Sequence, residues 1–522
     1  MPSNRRLRSL YAAAALTVVL SSPAAAQRFP TDDPVIKQMW QEGMTDRSQA
    51  AALAQVLMDS IGPRLHGSRG HDAAVEWLVG LYQRWGVTAR KERYGTWKNW
   101  RRGYTHLDLI SPRERTLEGT MLAWSPGTDR PVEGDVVLAP DVADSTAFRA
   151  WLPQAKGKFV LFSYAEPTCR PDENWDRLAR PESITRMRAA RDSTRRAWNT
   201  RVQRLGRSSM RDFDAAGVAG VLTSLWSFGW GVNKIFNAHT ARVPVLDVSC
   251  EDYGLLFRLA ERKQGPRLRL DSRSEDLGER PVFNVIGELK GTEKPNEYVV
   301  LSAHLDSWDS SSGATDNGNG TITMLEAMRL LKLAYPNPKR TILVGHWGGE
   351  EQGLIGSRSF AEDHADVVDG LQAAFNQDNG TWRIEYMRGM GLTGAGGHFG
   401  RWLSRLPTEM ENLIDLDLPG EPERGGSDHM SFLCSGAPGF RLQSNYPDYR
   451  QYTWHTNRDT YDKVILDDLK NNATLAAMLA YQASEDPERM PRDRRVLPPG
   501  PDGQPTTWPS CPHAQRTFPA ER

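Results

Sequence analysis

The sequence predicts an α/β protein with a mixed, largely parallel central sheet, helices on both faces and an inserted β-rich module. Three observations predict it. Short apolar runs at 298–301, 341–344 and 371–375 each precede a polar cluster, and a helical segment at 321–334 lies between the first two, with Met324, Met328 and Leu331 along one side. Short β-type runs at 135–138, 158–162, 220–222 and 243–246, separated by turn formers, mark a second, small β-rich or α/β module. At 522 residues the chain also exceeds the size at which one core stops growing.

In chain order, Arg5, Arg6 and Arg8 precede the apolar run 10–20 and the small-residue string 21–26. That pattern is a secretory signal peptide cleaved after Ala26, and it places the mature protein in the periplasm or outside the cell. Arg8 stands where the twin-arginine route needs an apolar residue, which favours the general route. Helical spacing follows at 41–57 and 72–85, with the turn Ile61-Gly62-Pro63-Arg64 between them and Gly86 as the stop. Residues 486–522 are expected to be an extended Pro-rich tail. Within the insert, 177–211 carries eleven arginines against Glu182 and Asp192, a pattern that fits a solvated amphipathic helix better than a nucleic-acid site.

Lys plus Arg and Asp plus Glu number 65 each, so no overall field points to nucleic acid or an anionic membrane. Beyond the signal no apolar run reaches the roughly 18 residues of a membrane span, so none is expected. Cys169, Cys250, Cys434 and Cys511 form no CxxC pair and so predict neither a disulfide framework nor a thiolate metal site. One bridge, Cys169 to Cys250, suits an exported protein, and free cysteines suit the sequence equally well.

His304, Asp316, Glu350, Glu351, Asp378 and His455 each follow a predicted strand or open a loop, where an open α/β sheet gathers its ligands. Two imidazoles with several carboxylates suit Zn²⁺ or a similar divalent ion, and two ions about 3.5–4 Å apart become feasible when one aspartate bridges them. The adjacent glutamates then divide the work, one on metal and one taking a proton from the attacking water. Taken singly, His304 is as consistent with a core histidine as with a ligand, and Glu350-Glu351 with an ordinary acidic pair. Their joint occurrence favours the metal site. Ser427-Asp428-His429 cannot converge as a nucleophilic triad and reads as a turn or cap with His429 near substrate. His346 reads as the buried end of a strand. Trp97, Trp100 and Tyr104 read as core before cleft.

The strings N-V-I-G-E-L-K-G-T (284–292), H-L-D (304–306), G-A-T-D-N-G-N-G (313–320), E-E-Q-G (350–353), S-D-H (427–429) and H-T-N-R-D-T (455–460) resemble the co-catalytic zinc peptidases of family M28. I-G-P-R-L-H-G-S (61–68) and H-L-D-S-W-D are most similar to its carboxypeptidase Q-like branch, although His429 matches other members. The resemblance covers about 40–115 and 283–482, and it implies the zinc exopeptidase fold, with 27–125 and 283–485 grouped as one domain around 126–282 as an inserted protease-associated domain. It implies two Zn²⁺, with Asp316 bridging, Glu351 and His455 completing one site and His304 and Asp378 the other. It further implies Glu350 as general base, Asp306 accepting from the far nitrogen of His304, and a cis peptide between Asp316 and Asn317. A peptide or dipeptide would be the substrate, cleaved by an aminopeptidase or dipeptidase, with a homodimer as an option. The rivals are a single-zinc glutaminyl cyclase and a catalytically silent receptor module, which should have lost ligands.

Overall fold

A computed structural model describes residues 32–206, 208–445 and 447–519. The expected signal peptide lies outside them. The strands are β1 (Thr88–Ser111), β2 (Arg115–Leu117), β3 (Gly119–Met121), β4 (Val132–Leu138), β5 (Phe159–Leu161), β6 (Gly220–Thr223), β7 (Val245–Val248) and β8 (Arg267–Leu289). They continue with β9 (Lys294–His304), β10 (Arg340–Trp347), β11 (Leu371–Asn376), β12 (Ile384–Arg388), β13 (Asp415–Asp417) and β14 (Gly439–Ser444).

The core of the main domain is the parallel set β10–β9–β11–β14, flanked by antiparallel β8 and β12. Its apolar runs form strands because both faces are covered. Val299 and Leu301 face a core that includes Ala327 of the Asn319–Ala334 helix, Leu475 of the Leu466–Glu485 helix and Leu78 of the Arg69–Arg84 helix. Val300, one residue out of phase, faces the other core with Phe360 and Phe432. The period-2 alternation of a strand thus feeds two helical layers.

In the inserted module β4, β5, β6 and β7 run parallel; the helix Ser145–Trp151 joins β4 to β5, and Pro181–Leu205 and Ser209–Ala216 lie between β5 and β6. Of the two alternatives the short runs left open, β-rich or α/β, the module is α/β, since parallel neighbours need crossover connections. The Arg-rich helix Pro181–Leu205 buries only Met187, Arg191 and Leu205, and its cations meet local acids, Arg188 with Asp176 and Arg195 with Asp192. It is the expected solvated face.

Strands β1 and β8 pair antiparallel over almost their whole length and pass from one module into the other. The expected boundary at 282/283 falls inside β8. The expected helix over 41–57 is broken. Pro34–Gly43 ends before the polar run 45–48, and Glu326 accepts from Ser48 Oγ (3.1 Å) and Gln49 N (3.0 Å), starting the separate Ala50–Gln55 helix. The tail is extended, but it is tied down by Cys434–Cys511 and by Thr96 N donating to Arg516 O. With Cys169–Cys250 also formed, no cysteine is free.

Candidate metal centre

Each acidic or imidazole group reaches the centre from a strand end or a braced loop. His304 is the last residue of β9, and 305–313 then folds around the fully buried Arg64. That guanidinium donates to the carbonyls of Gly62, Leu305, Ser312 and Gly313, which fixes the loop before Asp316. The turn Ala314–Gly318 carries Asp316, whose peptide to Asn317 is cis, and Asp459 accepts from Thr315 N (2.8 Å) and Asp316 N (3.0 Å).

After β10, Gly348 and Gly349 let the chain turn over the His66 ring. Gly349 has φ +71°, and a Cβ there would lie 2.7 Å from His66 Cε1, so the position requires glycine. The next two amides, of Glu350 and Glu351, donate to the two oxygens of Asp306 at 3.1 and 3.3 Å. Here the sequence expectation needs correction. His304 Nδ1 contacts the Asp306 main-chain oxygen at 3.0 Å, with the carboxylate 3.7 Å away, because that carboxylate is aimed at the Glu350–Glu351 amides. Asp378 stands two residues beyond β11, and His455 follows the turn Tyr449–Thr453.

These residues converge as two trios that share Asp316. His304 Nε2 lies 3.4 Å from Asp316 Oδ1 and 3.5 Å from Asp378 Oδ1. His455 Nε2 lies 3.2 Å from Asp316 Oδ2 and 2.9 Å from Glu351 Oε2. Within each trio the donor atoms lie within 4.8 Å of one another. His304 Nε2, Asp316 Oδ2 and Glu351 Oε1 are buried without a hydrogen-bond partner, the condition of atoms that a cation satisfies. The all-N/O donor set suits zinc, and the residues fit the metal.

The charges explain how such a cluster sits together. Burial opposes ionisation of Asp316, but the His304 and His455 imidazoles beside it hold it below the usual carboxylate range. Burial works against a charged His455 too, and Glu351 overrides it, raising the imidazole to about 9. Burial, reinforced by Asp316, pushes Glu351 to about 7. Glu350 is raised well above its ordinary range by burial, opposed by His304 and reinforced by Asp378, Asp428 and Glu351.

Ser427-Asp428-His429 makes no triad. Asn376 Nδ2 donates to Ser427 Oγ, Ser357 Oγ to Asp428, and His429 Nε2 faces Glu423 at 2.9 Å. His346 bonds the Tyr82 hydroxyl at 2.7 Å inside the core, a structural role as expected. Trp97 and Trp100 are buried, as expected, whereas Tyr104 is exposed.

A family model described as peptidase family M28 matches residues 284–480, the stretch that holds both trios and Glu350. Residues 284–480 are a peptidase family M28 domain. Carboxypeptidase Q of Rattus norvegicus is 24% identical over 442 residues, 84% of this chain and 85% of that protein. Carboxypeptidase Q of Mus musculus is 25% identical over 450 residues, covering 84% and 86%. Among solved structures, a peptidase M28 precursor from Shewanella amazonensis superposes with a TM-score of 0.65 at 23% identity, covering 89% of this chain and 98% of that one. BSAP, a zinc aminopeptidase from Bacillus subtilis, gives 0.55 at 19% identity, covering 85% and 96%. The enzyme is a zinc metallopeptidase.

Around the M28 domain's trios stand residues that had no assigned role from sequence. Arg64 and Asp459 lie inside quoted motifs, in I-G-P-R-L-H-G-S and H-T-N-R-D-T, and their motif membership was the available signal. Lys234, which donates to Trp454 O at 2.8 Å, lies in the insert and had none.

Proposed function

We propose that the protein is an exported two-zinc exopeptidase, an aminopeptidase or dipeptidase, that hydrolyses the terminal bond of a peptide. The observation that carries this reading is the sharing of Asp316 between two N/O trios. In it Asp316 bridges, His304 and Asp378 complete one site, and Glu351 and His455 complete the other. Zinc at both positions would activate water and polarise the scissile carbonyl. Glu350 is then the residue of the acidic pair left to take the proton of the attacking water and return it to the leaving amine. Asp306 fixes the Glu350–Glu351 turn through its two amide contacts and so holds the base beside its neighbour's ligand position.

The relatives' printed activities, carboxypeptidase Q and zinc aminopeptidase, differ in the end of the peptide they act on and agree on terminal cleavage. Export is supported by both disulfides, which persist in oxidising compartments. Among the described residues no helix is long and apolar enough to cross a membrane. The full donor set argues against a silent module, and the second trio against a single-zinc cyclase.

Glu350→Gln tests the assignment. The variant is expected to lose at least about a hundredfold in kcat while its metal content stays that of the native enzyme. Undiminished turnover would remove Glu350 as the base.

A further inference from the structure

His455 departs from the other donors in how its backbone is held. His304 ends a central strand and Asp378 lies two residues beyond one, whereas His455 sits in an irregular loop and adopts φ +57°, a left-handed conformation that a non-glycine residue keeps only where its surroundings impose it. The imposing surroundings come largely from the inserted module. Ile235 N donates to His455 O at 2.8 Å, and Asn457 N donates to Asn233 O at 3.0 Å. Asn233 N donates to Asn457 Oδ1 at 3.0 Å, and Ser227 Oγ to Gln451 O at 2.9 Å. Lys234 and Thr456 form an antiparallel bridge. From the M28 domain itself, Ser311 Oγ reaches Thr456 O.

Lys234 adds a side-chain grip. Its ammonium donates to Trp454 O at 2.8 Å and lies 4.3 Å from the centroid of the Trp454 ring. That indole stacks on the His455 imidazole at 3.9 Å between centroids. The loop bearing Lys234 is in turn fastened inside its own module. Buried Asp247 on β7 accepts from Lys234 N (3.0 Å) and Leu225 N (2.8 Å), and Asn233 Nδ2 donates to Asp247 O.

We propose that the inserted module positions His455, with Lys234 as the positioning residue, so that the Glu351–His455 metal site depends on the module while the His304–Asp378 site does not. This inference rests on the two-zinc reading above. It gives the insert a part in the chemistry: contact between the modules sets the affinity of one ion out of two.

The test is a zinc titration of metal-stripped full-length protein against a chromophoric chelator, comparing the native chain with Lys234→Met and Lys234→Arg. The methionine keeps the apolar stem against Trp454 and removes the ammonium. The native protein is expected to take two equivalents. Lys234→Met should keep the tighter one and bind the other about ten- to a hundredfold more weakly, the usual cost of losing an outer support of a metal ligand, and Lys234→Arg should recover part of it. Asn457→Ala, which cuts the same interface from the peptidase side, should reproduce the selective loss. Two unchanged equivalents in both variants, or equal weakening of both sites, would overturn the inference and leave the two-zinc reading intact. Fewer than two equivalents in the native chain would overturn the reading beneath it as well.

Discussion

His304 and His346 lie on neighbouring strands of one sheet and are both fully buried, yet their nitrogens face different things. His304 Nε2 faces two carboxylates, and His346 Nε2 faces a phenol. Burial without a charge partner depresses His346 from 6.5 to about 3. A histidine whose folded pKa is lowered binds fewer protons folded than unfolded between those values, so its share of stability is complete above pH 6.5 and is lost as pH falls toward 3. Thermal midpoints of His346→Gln measured from pH 7 to pH 4 should therefore fall less steeply than those of the native protein. Parallel curves would show that this histidine is not a source of the acid sensitivity. From sequence the two histidines differed only in their neighbours, His304 opening H-L-D and His346 preceding W-G-G-E-E. The signal that separated them was the resemblance carried by H-L-D (304–306), since His304 taken singly fitted a core histidine equally well.

Elements were legible where a run was apolar and short. β9, β10 and β11 follow from continuous buried runs, since a parallel strand covered on both faces needs no alternation. β1 and β8 were not legible. β1 holds Arg90, Lys91, Glu92, Arg93, Arg101 and Arg102 among buried Tyr94, Trp97 and Trp100, and four register shifts against β8 break the period that a strand would otherwise show. The broken helix at 41–57 failed for another reason: its interruption is braced by Glu326, almost 280 residues away, as well as by the local polar run 45–48. The tail was legible as extended but not as anchored, because pairing of Cys511 with Cys434 depends on where the tail runs. Cross-linking those positions constrains the unfolded chain, so Cys511→Ser should lower stability by about 2–4 kcal/mol in a denaturant titration under oxidising conditions. An unchanged midpoint would mean that the tail holds its course without the bridge.

For the whole molecule, the chemistry was legible and its framing was not. The polar clusters after the apparent strands pointed to one N/O site, because an open α/β sheet brings strand ends together, and the grouping around Asp316 came from the motif resemblance. The sharing of the site between modules could not be read, since Lys234 and Asn233 touch the His455 loop across more than 200 positions and carry no motif of their own. In the proposed function two zinc ions, joined through Asp316, perform terminal peptide hydrolysis. Its most direct test is the zinc content of the purified protein, paired with hydrolysis of free and N-blocked dipeptides before and after chelation. Two equivalents of zinc are expected, with cleavage of the free-amine substrates alone, abolished by the chelator and restored by zinc. A single equivalent accompanied by cyclisation of N-terminal glutamine, or no metal and no cleavage, would contradict it.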